Sequence, residues 1–187
     1  MPLDPTAVAA LLDAVTPADP TEAAFVEDMR VLAQVPDSGS RHHYVPGHFT
    51  ASAFVLDPAG DALLLIHHSK LHRWLQPGGH VDPDDADLLA AARREVAEEV
   101  GLTDLDVLDP QPFDVDVHVI PARPAKPGRA AEPAHRHFDV RFLFRAHTRD
   151  VQAGSDALAA RWVPLAEMDT VESDESVYRA VRKLRGL

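Results

Sequence analysis

Cysteine is absent from the 187 residues, so neither disulfides nor thiol chemistry is open to this chain. The same absence leaves the compartment undecided. Positive charge is scarce as well: 18 Lys and Arg stand against 30 Asp and Glu. The resulting net charge of −12 argues against broad attraction to nucleic acid or to an anionic membrane. An anionic small molecule would then need a metal ion or local basic residues to approach. Long apolar runs are also missing. No Lys or Arg precedes Arg30, and the early run from Ala7 to Val15 is broken by Asp13. Neither a secretory signal nor a membrane span is therefore expected, and a cytoplasmic protein is the default expectation. What remains is ordinary for a soluble globular chain, 45% hydrophobic and 26% charged, with length for one sizeable core rather than two full domains.

The chemistry concentrates in Gly78-Gly79-His80-Val81-Asp82 and in a helix expected over Leu88 to Val100. At about 100° per residue, Leu89, Ala92, Val96 and Val100 form an apolar stripe, while Glu95, Glu98 and Glu99 gather on an adjoining face. Carboxylates spaced i, i+3 and i+4 repel one another by a few tenths of a kcal/mol per pair in a bare helix. Arg93 and Arg94 are expected on other sides of the helix, so the triplet is expected to lack a cation of its own. A hard divalent metal would offset the repulsion, because Mg²⁺ prefers oxygen ligands and is held by a few carboxylates together with substrate phosphates. For an isolated Glu-x-x-Glu-Glu a solvated acidic face is the plainer reading; the Gly-Gly pair upstream shifts the balance.

This stretch resembles the signature box of the Nudix hydrolases. Gly79 matches the opening glycine, and Arg94, Glu95, Val96, Glu98, Glu99, Gly101 and Leu102 match the closing half without a gap. Two departures stand between them: Asp85 takes the place of the family's first glutamate, and eight residues rather than seven separate it from Arg94. The equivalent of that glutamate is Asp82, Asp84 or Asp85. The resemblance implies an α/β/α sandwich with a mixed sheet. It also implies that Glu98 and Glu99 are ligands of Mg²⁺, or of Mn²⁺ in its place, that Glu95 is a ligand or general base, and that Arg94 orients Glu95 or its neighbours. The Gly78 carbonyl would be a further ligand. The motif spans residues 78–102, and the order of strands and helices agrees from about residue 48 onward.

Along the chain, residues 1–41 are acidic, punctuated by proline and helical in pattern, with Thr21 as an expected N-cap before Glu22 to Val35. They read as an N-terminal helical extension to a Nudix domain over 42–187. Phe49 to Leu56 and Ala62 to Ile66 read as a hairpin feeding a Gly-Gly turn, whose glycines can take backbone angles closed to other residues. Phe113 to Ile120 alternates strictly and puts Asp114, Asp116 and His118 on one face. Residues 121–134 read as a loop carrying Arg123, Lys126 and Arg129, a lid for phosphate or a tolerated insertion. From His135 to Phe144, His137, Asp139 and Arg141 oppose Phe138, Val140 and Phe142. Arg161 to Leu165 is a last strand, and Ser173 an expected N-cap for the closing helix.

An acid outside the box often completes such a site in the family, and the candidates in order are Asp116, Asp139, Asp114 and Glu132. His80, His118 and His137 are candidates for phosphate or ribose contacts. Trp74 is the first candidate to stack on a base, with Tyr44, Phe113, Phe138 and Trp162 behind it. The adjacent pairs His42-His43 and His67-His68 would point to opposite faces of a strand and suit joint coordination badly. His118, His135 and His137 would meet only if their strands are neighbours, and ordinary packing is the plainer reading for all eleven histidines. The expected activity is Mg²⁺-dependent hydrolysis of a nucleoside diphosphate linked to another group, by a chain that binds a nucleotide-type small molecule, neither nucleic acid nor membrane, and for which a homodimer is compatible. Two rivals frame that expectation. A fold-related isopentenyl diphosphate isomerase needs a cysteine that is absent here. A nucleotide-sensing or scaffold protein that keeps the fold without turnover is favoured by the inserted residue and opposed by the intact glutamates.

Overall fold

Alternation along two long strands explains the layers. In β1 (Gly47–Leu56), Phe49, Ala51, Ala53 and Val55 point to one side, as do Phe138, Val140, Phe142 and Phe144 of β6 (His135–Ala146). This side is covered by α3 (Leu88–Val100) through Leu88, Ala91, Ala92, Val96 and Val100, and by α1 (Pro5–Asp13) and α2 (Pro20–Ala33) through Val8, Leu12, Val26, Met29 and Leu32. On the other side, Phe54 and Leu56 join Leu63 and Leu65 of β2 (Ala62–His68) against α4 (Glu175–Arg185), which contributes Val177, Ala180, Val181 and Leu184. Apolar faces buried between helices on both sides give an α/β/α sandwich. These relations come from a computed structural model that describes residues 3–69, 71–154 and 157–186. Among the described residues no helix is long and apolar enough to cross a membrane.

The sheet is mixed. Its main path runs β3 (Trp74–Leu75), β2, β1, β6, β5 (Leu105–Ile120), with β4 (Gly78–His80) paired to β1 and β7 (Ala157–Pro164) paired to β2. Among the described strands only β1 and β6 run parallel, and all ten residues of β1 find partners there, from Gly47↔Arg136 to Leu56↔Arg145. The hairpin between β1 and β2 is closed only at Leu56↔Leu63. Beyond that point the two strands part, and β4 enters beside β1 with Thr50↔His80, Ala51↔Gly79 and Ser52↔Gly78. The Gly-Gly pair is thus a strand and not a turn.

Helix ends correct two expectations. The N-cap of α2 is Asp19, whose carboxylate accepts from Glu22 N, and not Thr21. Asp174, not Ser173, caps α4, since its carboxylate is better placed to accept from Val177 N, while the Ser173 hydroxyl donates to the Trp74 carbonyl. The motif's closing glycine ends α3: Gly101 has φ +74°, a left-handed conformation that glycine adopts without a Cβ penalty. The N-terminal helices share the main core with the sheet, and a buried ion pair ties them in. Glu22, fully buried, accepts from Ala18 N and Val115 N and meets the ammonium of Lys183.

Candidate active site

Two structural features bring the box together: β4 lies against β1, and α3 packs beside both. Arg94 is the hub. Its Nε and Nη2 donate to the two oxygens of Asp85 at 3.0 and 2.9 Å, and Nη2 also donates to the His80 carbonyl at 2.8 Å. Nη1 donates to Glu95 and to Glu98, both at 3.0 Å. The expectation that the glutamates lack a helical cation is therefore corrected: the long Arg94 side chain reaches Glu98 one turn on and Glu95 next door. Among the three acids offered for the family's first glutamate, Asp85 makes the paired contact, Asp82 stands 3.8 Å from Arg94, and Asp84 makes none among the described contacts. Burial alone would favour the neutral Asp85, but its bonds from Arg94 and Asp82 N hold its carboxyl below the usual carboxylate range. The bonds that Arg94 makes to Asp85 and Glu95 raise its already high pKa.

Space, rather than backbone angle, requires both glycines, because neither has positive φ. A Cβ on Gly78 would fall 2.2 Å from the Ser52 Cβ, and one on Gly79 would fall 2.6 Å from Glu95 Oε1. Gly78 N donates to Glu99 at 3.0 Å. Burial pushes the Glu95 carboxyl above the usual range, with Arg94 opposing the shift. Glu98 has 57% of its side chain exposed and stands at the mouth.

These groups open onto a cleft of about 600 Å³ whose lining includes Gly78, His80, Arg94, Glu95, Glu98 and Glu99. Across from them on the β1–β6–β5 face are His118, His137 and Asp139, and Arg41, Arg123, Arg129 and Glu132 form a charged rim. The segment 121–134 is folded back on itself by the bridges Arg123↔Glu132 and Lys126↔Arg129. Asp139, not Asp116, is the buried acid that reaches the cleft. It accepts from Thr50 (3.1 Å), Ser52 (2.8 Å) and Arg141 (2.8 Å), while Asp116 sits behind His118 at 3.0 Å and beside Arg141 at 3.3 Å. Asp114 lies deeper, paired with Arg141, Arg179 and Lys183.

Trp74 does not line the cleft. It packs under the Arg161 guanidinium, 4.1 Å from the ring centre, and no Trp, Tyr or Phe occurs in the described lining. Residues that sequence reasoning passed over include Ser52, Thr50 and Gln76, which surround Asp139, and Arg41 at the rim. Only strand pairing could have identified the first two; Arg41 carried no signal.

A sequence model of one family, described as the NUDIX domain, matches residues 46–182. No curated protein sequence matches the chain. Among solved structures, a hydrolase of the NUDIX family from Clostridium perfringens is similar at 21% identity and TM-score 0.54, over 74% of this chain and 96% of that one. An Ap4A hydrolase of C. elegans in a binary complex aligns at 22% identity and TM-score 0.53, over 74% and 95%. The NUDIX domain of Shewanella oneidensis NrtR complexed with ADP ribose aligns at 16% and 0.53, over 74% and 86%. At these identities the likeness is one of fold.

Proposed function

The chain belongs to the NUDIX domain family, and we propose that, as a Nudix-type pyrophosphohydrolase, it cleaves the diphosphate of a nucleoside diphosphate linked to another group, with Mg²⁺, or Mn²⁺ in its place. Nucleotide sugars, dinucleotides and nucleoside triphosphates are the substrate classes. The observation that carries this reading is the convergence of Glu95, Glu98 and Glu99 on one cleft wall beside Gly78, facing a rim that contains Arg41, Arg123 and Arg129. Hard oxygen donors collected at one point suit Mg²⁺, and the burial that raises the Glu95 carboxyl against the pull of Arg94 is a shift that a bound cation would oppose. Glu98, Glu99 and the Gly78 carbonyl would hold the ion. Once bound, it would neutralise phosphate oxygens and acidify a water.

The side chains supply the rest. Glu95 completes the ligand set or takes the proton of the water that attacks phosphorus in line. Arg94, fixed by Asp85 and the His80 carbonyl, holds Glu95 and Glu98 in register. The rim arginines draw an anionic substrate toward an otherwise acidic protein. Asp139, locked by Thr50 and Ser52, would be the acid outside the box, and His80 and His118, which line the same cleft, would contact phosphate or ribose. Ap4A and ADP ribose, named for two of the similar folds, are the first compounds to assay. Asp85 takes up Arg94 despite the inserted residue, which weakens the main ground for a sensor without turnover.

The test is product release with and without Mg²⁺ across such a panel, on the parent and on Glu98→Gln. Metal-dependent turnover that falls at least 100-fold in the variant, with an unchanged melting temperature, is expected. Tight binding without turnover by the parent points instead to a sensor.

A further inference from the structure

Three histidines outside the box face one another, each with an Nε2 that has no hydrogen-bond partner among the described residues. The parallel register sets His48 of β1 beside His137 of β6, and alternation along β6 brings His135 to the same side. Ring centres lie 4.8 Å apart for His48–His137, 5.1 Å for His48–His135 and 5.2 Å for His135–His137. One ring nitrogen from each residue lies within 4.8 Å of the others.

The tautomers are set from outside. His48 Nδ1 donates to the His43 carbonyl at 3.1 Å, and His135 Nδ1 donates to the Pro133 carbonyl at 2.9 Å. A carbonyl only accepts, so the proton sits on Nδ1 and the Nε2 lone pair is free in both rings. The Nε2 atoms of His48, His135 and His137 are all buried and have no hydrogen-bond partner among the described residues. Glu132 Oε1 stands 4.0 Å from His135 Nε2, which places a negative charge at the edge of the cluster. A carbonyl bonded to Nδ1 with Nε2 left bare is the arrangement that orients a metal-binding imidazole.

We propose that His48, His135 and His137 form a binding site for one divalent transition-metal ion of the zinc class, held by their Nε2 atoms, with a fourth position open on the side where His137 meets the cleft. Imidazole nitrogen suits Zn²⁺, Co²⁺ or Ni²⁺, whereas Mg²⁺ takes oxygen, so this site and the glutamate site select different ions. Tetrahedral coordination at 2.0–2.1 Å brings nitrogens to about 3.3 Å of one another, and ring centres 4.8–5.2 Å apart leave the three imidazoles within reach of that spacing by ring rotation. Burial holds His48 near a pKa of about 4 and His137 near about 2, so both rings are neutral at physiological pH. Binding there would fasten the start of β6, and with it the base of the arginine-bearing segment 121–134, to β1.

Chelator-stripped protein is titrated with Zn²⁺ in excess Mg²⁺, which occupies the glutamates, and the Zn²⁺ complex is examined by X-ray absorption. One Zn²⁺ per chain, two or three imidazole nitrogens at 2.0–2.1 Å, and affinity at least 100-fold weaker in His48→Gln and in His137→Gln but unchanged in Glu98→Gln are expected. Zinc retained by the histidine variants and lost in Glu98→Gln overturns the proposal. So does an absorption spectrum of the parent complex showing fewer than two imidazoles, a result that decides the matter even if His48→Gln does not fold.

Discussion

Replacing Gly79 by alanine should separate catalysis from stability. The new Cβ would meet Glu95 Oε1 at 2.6 Å and its Cδ and Oε2 at 2.7 Å, where ordinary contacts begin at 3.4 Å. The carboxylate must therefore retreat by about 0.8 Å, away from the Arg94 Nη1 it accepts from at 3.0 Å. It is the far end of a flexible side chain, so the retreat costs at most an off-rotamer penalty of about 0.5–1.5 kcal/mol. In a chain of this size that lowers the melting temperature by roughly 1–6 °C. Catalysis is less forgiving, since a misplacement of about 1 Å can cost about 100-fold, and kcat should fall by roughly 10- to 100-fold. Gly78→Ala is the comparison in which stability falls together with activity. Its Cβ would lie 2.2 Å from Ser52 Cβ, 2.6 Å from Ser52 Cα and 2.9 Å from the Ala51 carbonyl. Backbone cannot rotate away, so β4 must shift from β1 at a cost of about 1–3 kcal/mol or more. Melting curves with kcat and KM on both variants form the assay. A Gly79→Ala enzyme at parental kcat, or a Gly78→Ala protein at parental stability, refutes the steric account of the glycine pair.

Two further outcomes follow from buried charge. Glu22→Ala takes the acceptor from the Ala18 and Val115 amides and leaves Lys183 with Asp114 and the Phe113 carbonyl; an unsatisfied buried group costs about 1–3 kcal/mol, so the melting temperature should drop by roughly 5–10 °C, and a drop under about 2 °C means that the N-terminal helices are held by apolar contacts alone. Asp114 gives a signed pH dependence. Burial would raise its pKa, but Arg141, Arg179 and Lys183 overcome that and hold it below the usual range. A depressed folded pKa contributes stability that is present above the unfolded value of about 3.9 and lost as pH falls toward the folded one. Melting temperature should therefore decline below about pH 4, and more shallowly in Asp114→Asn than in the parent; parallel declines would assign the acid sensitivity to other carboxylates.

What could be read from sequence tracks how local each cause is. The bounds of α3 and its glutamate cluster depend on residues within one or two turns, and the structure places them as their spacing requires, while Leu88 and Ala91 rather than Leu89 join Ala92, Val96 and Val100 in the fully buried stripe. The alternating face of Asp114, Asp116 and His118, and that of His137, Asp139 and Arg141, were legible for the same reason. Misreadings began where one side chain answers to several elements. A glycine that makes room for Ser52 or Glu95 looks, in sequence, identical to one that turns the chain, so β4 read as a turn. Arg94 was assigned by its Cβ direction, yet a side chain of that length chooses among all carboxylates in reach. Periodicity names the face a residue shares but not the strand lying beside it. Asp116 and Asp139 were equivalent by alternation, and only the pairing of β1 with β6 brings Ser52 and Thr50 to Asp139. His48 stands 87 residues before His135 in sequence, and only the same pairing brings the two together. Parallel strands are joined by long crossovers, so their register is the property that a single sequence encodes least directly. In this chain that register places both the acid beside the box and the trio of bare imidazoles.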